Sequence, residues 1–189
     1  MSQASFVRVL FVIFVVLYPF VVYFGIRYLP PSFFGVMLAV VLAMRFGVLV
    51  PEERPVLLPL LAVFIAYAVA SAALQSITML LYYPVLVNFS LCAVFANSLR
   101  HEESILLKLI RARGIQVSKF GPKYLHRLTA CWAIFFAVNG LVAIWSTTRS
   151  IEVWTAYNGL IAYLIVGALI GGERIFRRYY KKHMGVWNS

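Results

Sequence analysis

The sequence lacks charged side chains over most of its length. Between Arg54 and Arg100 there are 45 consecutive residues without Asp, Glu, Lys, Arg or His. As a helix this stretch would be roughly 65 Å long, which is enough to cross a hydrocarbon core of about 30 Å twice. A helix exposed to water needs a polar face, so this absence excludes a soluble domain. The chain is therefore predicted to be an integral membrane protein.

Cysteine is also scarce, and its placement excludes a disulfide framework or a thiolate metal site. The two cysteines, Cys92 and Cys131, lie in apolar runs with no CxxC pattern and no neighbouring histidine. Thiols of this kind act as small hydrophobic side chains.

A cleavable signal pattern is lacking as well, because the apolar run at 9–26 is long and offers no small-residue cleavage site. We expect that run to remain as a first span.

Apolar side chains are abundant: 63% of the 189 residues are hydrophobic and 12% are charged. This composition leaves room for one membrane domain over 1–189 and for little else. A basic loop is expected at 98–127 and a basic tail at 172–189. The runs and their breaks predict an all-α integral membrane protein with about six transmembrane helices, at 9–26, 31–50, 55–73, 77–97, 128–147 and 153–171.

The distribution of Lys and Arg predicts that both termini are cytoplasmic. With six spans in this orientation, 15 of the 17 basic residues face the cytoplasm, and only Arg27 and Arg149 face outward. An excess of this kind is the positive-inside pattern of multi-pass proteins. Trp145 and Trp154 flank the last outer turn, where interfacial indoles are common.

The basic loop contains a pattern typical of one short amphipathic helix. Glu102 and Glu103 precede it, and the pattern ends at Arg113 and Gly114. Acids in a first turn, bases in a last turn and glycine just beyond suit a helix and its macrodipole. We expect this cytoplasmic helix to lie on the inner leaflet. Its predicted apolar stripe consists of Ile105, Leu106, Leu109 and Ile110.

The basic residues of the loop form a candidate surface for membrane lipids or for an acidic partner. Each Lys or Arg near an anionic leaflet contributes about 1 kcal/mol to binding. The alternative is that these residues only enforce the topology. Nucleic acid is not expected as a partner. The candidate residues are Arg100, Lys108, Arg111, Arg113, Lys119, Lys123 and Arg127.

Catalytic motifs are missing. His101 lies beside Glu102 and Glu103, but consecutive helical residues point about 100° apart, so adjacency does not build an acid–base pair. The HExxH zinc motif is absent because position 105 is isoleucine, and there is no phosphate-binding loop or GxSxG nucleophile. The sequence therefore predicts no catalytic residue, no cofactor and no metal.

Asparagines are the unusual residues within the predicted spans. Asn139 and Asn158 occur in matching words, AVNGLVA and AYNGLIA, 19 residues apart. Glycine lets two helices approach closely, and a carboxamide bond across the contact contributes about 0.6 kcal/mol. Structural packing and a polar ligand or ion site both remain open, and spacing does not say which asparagines meet. The candidate polar intramembrane site comprises Asn88, Asn97, Asn139 and Asn158.

Several sequence motifs, taken in their order along the chain, resemble those of a known family. Tyr82-Tyr-Pro-Val-Leu-Val-Asn88 precedes the basic loop, and Trp132-Ala-Ile-Phe-Phe136, Asn139-Gly140 and Trp154-x-x-Tyr-Asn-Gly159 follow it. This order resembles a small bacterial family encoded beside genes for aryl polyene (xanthomonadin-like) biosynthesis. More loosely, it is similar to the intracellular septation protein A family. The resemblance covers about 77–180; it implies a bacterial inner-membrane protein and supplies no catalytic residue.

Several functions follow as hypotheses. The first is a non-enzymatic accessory or scaffold protein of envelope lipid or aryl polyene biosynthesis, whose loop docks an acidic partner such as an acyl carrier protein or a synthase. The second is a small lipid or polyene translocator with an asparagine lining, and a third is a lipid-modifying enzyme at the membrane surface. Six spans without an intramembrane acid offer no coupling to a proton gradient unless the chain forms a homodimer, which the sequence leaves open.

Overall fold

Helices joined by short turns make up the described part of the chain. The structure is a computed structural model that describes residues 17–46, 54–112, 114–117 and 121–184, and these ranges contain no β-strand. A π-helical turn, Tyr157–Ile161, joins the last two helices. The helices are α1 (described over 17–25), α2 (Pro31–Phe46), α3 (Arg54–Leu74), α4 (Ile77–Ser98), α5 (Ile105–Ala112), α6 (Gly121–Thr147), α7 (Ile151–Ala156) and α8 (Ala162–Met184).

Three helices within the described residues are long and apolar enough to cross a membrane. They are α4, α6 and the continuous helix Ile151–Arg177, which runs through α7 and the π turn into α8. Their lengths of 22, 27 and 27 residues correspond to about 33–40 Å, more than the roughly 30 Å of a hydrocarbon core. The apolar stretch of α3 at Ala62–Leu74 is shorter. The prediction of an all-α membrane protein is confirmed at this level.

The solvent-exposed side chains of α6 suit a hydrocarbon surrounding. Ile134, Val138, Leu141 and Trp145, spaced three or four residues apart, are all about half exposed or more. The buried side chains of the chain include serines, threonines and asparagines. This distribution is opposite to that of a water-soluble protein, and it matches membrane helices that pack through small and polar residues.

The predicted turn between α3 and α4 is present at Leu74–Ser76. Gln75 takes a left-handed conformation, with φ of 47°, just after the last residue of α3. The Ser76 N–H donates to the Ser71 carbonyl at 3.4 Å and the Gln75 N–H to the Ala72 carbonyl at 3.3 Å, which closes α3. The Ser76 hydroxyl accepts the Met79 N–H at 3.3 Å and caps α4. A tight helical hairpin results.

Other predicted boundaries agree less well. α2 begins at Pro31 as expected, whereas residues 1–16, 47–50 and 185–189 lie outside the described residues. The cytoplasmic loop at 98–127 stays a prediction, and α6 begins at Gly121, seven residues before the predicted span at 128–147. Lys123 and Arg127 end the apolar run that set the predicted boundary, yet both are good helix formers and extend the helix. Likewise α8 continues to Met184, through most of the predicted tail.

Contacts divide the chain into two compact units. The first comprises Met1–Pro84 with Ala143–Ile161, and the second comprises Val85–Val142 with Ala162–Ser189. In the first unit Tyr83 packs against Tyr18 and Phe64, with ring centroids 5.0 and 6.0 Å apart. The predicted single domain over 1–189 stays a prediction.

In the second unit, α5 is fixed at its start and buried on one face. The Ser98 hydroxyl accepts the Ile105 N–H at 3.2 Å, so the end of α4 caps the first amide of α5. Leu107 is only 2% exposed, whereas Leu109 is 44% exposed. Leu107, which lies outside the predicted apolar stripe, is thus the residue of α5 buried within the chain, while contact of the stripe with the inner leaflet stays a prediction. Apolar residues occupy most positions of α5, so the sequence does not define which face of this helix is buried.

The ends of α5 also differ from the prediction. Glu102 and Glu103 precede the helix rather than forming its first turn, and Glu103 forms an ion pair with Arg111. At the other end the prediction is confirmed, because Gly114 has a left-handed φ of 72°. Its N–H donates to the Arg111 carbonyl at 2.8 Å, and the following residue bonds back to Ile110 at 3.3 Å.

We predict that replacing Gly35 with alanine destabilises the first unit. A Cβ at Gly35 in α2 would lie 2.8 Å from the Ala68 oxygen and 2.8 Å from the Ala72 nitrogen of α3, both of which are backbone atoms. The helices would have to separate, so the free energy of unfolding should fall by about 1–3 kcal/mol. Denaturant unfolding in detergent measures this change.

Gly167→Ala is the matched control, because a Cβ there meets nothing within 4 Å. Its stability should be unchanged or higher by up to about 1 kcal/mol, since alanine is the better helix former. Equal losses in the two variants would contradict close packing of α2 on α3.

Candidate functional site

Two of the four candidate asparagines are bonded to each other in the second unit. The Asn139 Nδ2 on α6 donates to the Asn88 Oδ1 on α4 at 2.8 Å. Both side chains are buried. A carboxamide pair of this kind satisfies polar groups that would otherwise face hydrocarbon. The bond therefore joins the two helices.

The glycine after Asn139 packs against the residue after Asn88. A Cβ at Gly140 would lie 3.0 Å from the ring of Phe89. The Asn-Gly word of α6 thus faces the Asn-Phe word of α4, with the amides bonded and the ring against the glycine. Close approach of the helices is what places the two amides within hydrogen-bond distance.

The second Asn-Gly dipeptide, in the first unit, is packed in the same way, with its amide hydrogen-bonded and its glycine against a ring. The Asn158 Nδ2 donates to the Ser146 hydroxyl at 3.0 Å and to the Trp154 carbonyl at 2.9 Å. A Cβ at Gly159 would lie 2.8 Å from the ring of Phe20 in α1. This dipeptide lies in the π-helical turn, and the Trp154 carbonyl that accepts its amide also accepts the Tyr157 N–H.

The four candidate asparagines do not form one cluster. Asn88 and Asn139 form a pair, while Asn158 bonds to Ser146, a residue that the sequence did not single out. Asn97 is exposed near the end of α4. Ser146 lies seven residues after Asn139 on α6, and residues i and i+7 share one face of a helix. This spacing was the sequence signal for a second polar position on that face.

The candidate basic surface is exposed at every position that the structure describes. Arg113 and Lys119 lie outside the described residues. The Arg111 guanidinium is engaged by Glu103 and remains half exposed. The exposed candidate positions are Arg100, Lys108, Arg111, Lys123 and Arg127.

A tryptophan forms a hydrogen bond between two helices in the first unit. The Trp154 indole N–H donates to the Leu81 carbonyl of α4 at 3.0 Å, and its side chain is buried. Pro84, three residues further along α4, has no N–H to donate to the Leu80 carbonyl. The indole therefore bonds to the carbonyl next to the one that the proline leaves without its helical donor.

A cavity of about 210 Å³ lies within the second unit, between α5, α6 and α8. Leu106 and Ile110 of α5 form one wall. Its polar end contains Tyr124, Glu173 and Arg177. The Tyr124 hydroxyl donates to the Glu173 Oε1 at 3.1 Å, and the Arg177 Nε lies 3.4 Å from the same oxygen.

This polar cluster was missed by the sequence interpretation. Glu173 is the acceptor at its centre, and its side chain is 18% exposed. Its partners come from one turn further along α8 and from the start of α6. The signal was present, because Glu173 and Arg177 have the i, i+4 spacing of a helical ion pair.

The acid–base residues near α5 do not assemble into a site. His101 and Glu102 are exposed. Among the described residues, no three His, Cys, Asp or Glu side chains come together in a way that could hold a metal ion.

We predict that Asn88 and Asn139 are energetically coupled. In a double-mutant cycle with Asn88→Leu and Asn139→Leu, the coupling should be about 0.6 kcal/mol and at most about 2 kcal/mol, because each single change already removes the bond. Unfolding in detergent gives the four free energies. A parallel cycle with Asn97→Leu and Asn139→Leu should give additive changes, and additivity in both cycles would contradict the bond.

No family model, curated protein or solved structure matches the chain. The features available are two packed Asn-Gly words, an exposed basic surface and one cavity with a polar end.

Proposed function

We propose that this chain is a non-enzymatic accessory or scaffold protein of the bacterial inner membrane. It crosses the membrane six times with both termini in the cytoplasm, and it serves envelope lipid or aryl polyene biosynthesis. The pathway comes from the resemblance of residues 77–180 alone. The orientation comes from the excess of Lys and Arg on one side of the predicted spans.

The observation that carries this proposal is the way α5 presents its charge. Leu107 is buried on one side of the helix, while Lys108 and Arg111 are exposed. The Ser98 cap and the Gly114 turn fix both ends of α5. A short helix held in this manner presents its cations in a fixed arrangement, which favours recognition of a partner over topology alone.

Further cations extend the same surface along the chain. Lys123 and Arg127 are exposed in the first turns of α6, and Arg100 is exposed after α4. An acidic protein such as an acyl carrier protein or a peripheral synthase suits this surface, as do anionic lipid headgroups. Attraction of this kind is screened beyond about 8–10 Å at physiological salt, so docking should weaken as ionic strength rises.

The translocator hypothesis receives less support from the geometry. It needs the carboxamides of Asn88, Asn139 and Asn158 to line a path, whereas each of them makes a packing bond. If the hypothesis held, Asn139→Leu would trap polyene or lipid in the inner membrane while leaving its synthesis normal. An enzyme centred on His101 has even less support, since that residue is exposed and away from any described cavity.

We predict that reversing the charge of α5 abolishes capture of the cytoplasmic partner. Lys108, Arg111 and Arg113 changed together to glutamate should remove partner proteins from an affinity purification in mild detergent at low salt. The variant should still insert, because the positive-inside excess stays large. Quantitative mass spectrometry of the eluates against wild type measures the loss.

Arg149→Glu provides the matched control, because this exposed cation is predicted to face outward and contacts Trp145. It should retain the full set of partners. Identical partners in the α5 variant and in wild type would reject the docking role.

A further inference from the structure

The cavity in the second unit has an apolar end and a polar end. On α8, Ile170, Glu173 and Arg177 have the i, i+3, i+7 spacing of one helix face, and all three line the cavity. On α6, Tyr124 lies at the polar end and Trp132 lies eight residues further on. The contact between Tyr124 and Glu173 fixes which ends of the two helices are side by side.

The change in polarity coincides with the predicted edge of the membrane. Leu128, Trp132 and Ile170 belong to the predicted spans at 128–147 and 153–171, whereas Tyr124, Glu173 and Arg177 lie just outside them. From Ile170 to Arg177 the helix rises by about 10 Å. A molecule that fills this cavity therefore needs a hydrocarbon end and a polar end over the same length.

The size of the cavity limits its occupant to one chain. An apolar cavity of roughly 150 Å³ holds one benzene molecule, and this cavity measures about 210 Å³. One aromatic ring or one segment of a single acyl chain fits, whereas two parallel chains do not. Leu106 and Ile110 enclose that segment from the side of α5.

The charge around the polar end favours an anion. The Arg177 side chain is 41% exposed, and Glu173 faces it only through Nε. A guanidinium has five N–H donors, so the outer nitrogen atoms are available to a carboxylate or a phosphate. Glu173 already accepts from Tyr124 and lies next to Arg177, and the adjacent Arg174 is exposed. The electrostatic balance outside the cavity is positive.

We infer that this cavity binds a single-chain anionic amphiphile of the fatty-acid class, with its hydrocarbon end between Leu106, Leu128 and Trp132 and its carboxylate at Arg177. The inference is independent of partner docking, because it uses the lining of the cavity and not the exposed cations of α5. Tyr124 and Glu173 hold the Arg177 side chain in position, and α5 covers the chain.

Photolabelling of the full-length protein in phosphatidylcholine nanodiscs tests this inference. The probe is a long-chain fatty acid with a diazirine at the middle of its chain, about 10 Å from the carboxylate, and labelled residues are located by fragmentation of the peptides in mass spectrometry. Label should concentrate on Leu106, Leu128 and Trp132 over the lipid-facing Ile134 and Leu141. Unlabelled fatty acid should compete, whereas its methyl ester should compete about tenfold less well, which corresponds to about 1.4 kcal/mol.

Two pairs of variants separate the cavity from general lipid contact. Leu106→Trp fills the cavity and should remove the label, whereas Leu109→Trp adds the same side chain on the exposed side of α5 and should not. Arg177→Gln should abolish the preference for the acid over the ester, and Arg149→Gln, which changes an exposed cation that does not line the cavity, should keep it. The Arg177 pair also gives an answer if Leu106→Trp fails to fold.

Label spread evenly over Ile134 and Leu141, or unchanged by both Leu106→Trp and Arg177→Gln, would overturn the inference. A diazirine phosphatidylglycerol that labels the cavity better than the fatty acid would overturn the single-chain assignment. Normal labelling, combined with identical protein partners in the α5 charge-reversal variant and in wild type, would refute only the docking role of α5.

Discussion

Within a hydrocarbon layer no water is available to pair with backbone amides, and this constraint governs the structure. Each N–H and C=O must be satisfied within the chain, so long apolar segments form helices. The same constraint weakens the usual drive to bury apolar surface, because lipid is as apolar as leucine. Helices must then associate through close contact and buried polar bonds. The packing of α2 on α3 through Gly35 and the Asn88–Asn139 bond are both consequences.

The two Asn-Gly dipeptides make the same kind of packing contact. In each dipeptide the glycine packs against an aromatic ring and the asparagine donates to a polar side chain. In the second unit the ring is Phe89 and the acceptor is Asn88. In the first unit the ring is Phe20 and the acceptor is Ser146. The first partner pair is contiguous on a single helix, while the second is drawn from two helices. Similar words therefore serve different helix contacts, and both use the carboxamide as a packing group.

Much of the fold followed from the sequence because local rules decide it. Charge-free length identified the three helices that are long and apolar enough to span a membrane, and the end of α5 at Gly114 follows from a residue that tolerates a left-handed conformation. The buried face of α5 could not be derived, because Leu106, Leu107, Leu109 and Ile110 offer two equally apolar stripes. The cavity could not be derived either, because Tyr124 and Glu173 meet only through the tertiary packing of α6 and α8.

The proposed orientation places the basic segment between α4 and α6 in the cytoplasm. It is tested most directly by single cysteines at Gln116 and Ser150, which are both exposed, in a chain whose Cys92 and Cys131 are replaced by alanine. A membrane-impermeant maleimide applied to spheroplasts should label Ser150→Cys at once and Gln116→Cys only after lysis. Labelling of Gln116→Cys in intact spheroplasts would contradict the orientation, and with it the docking of a cytoplasmic partner.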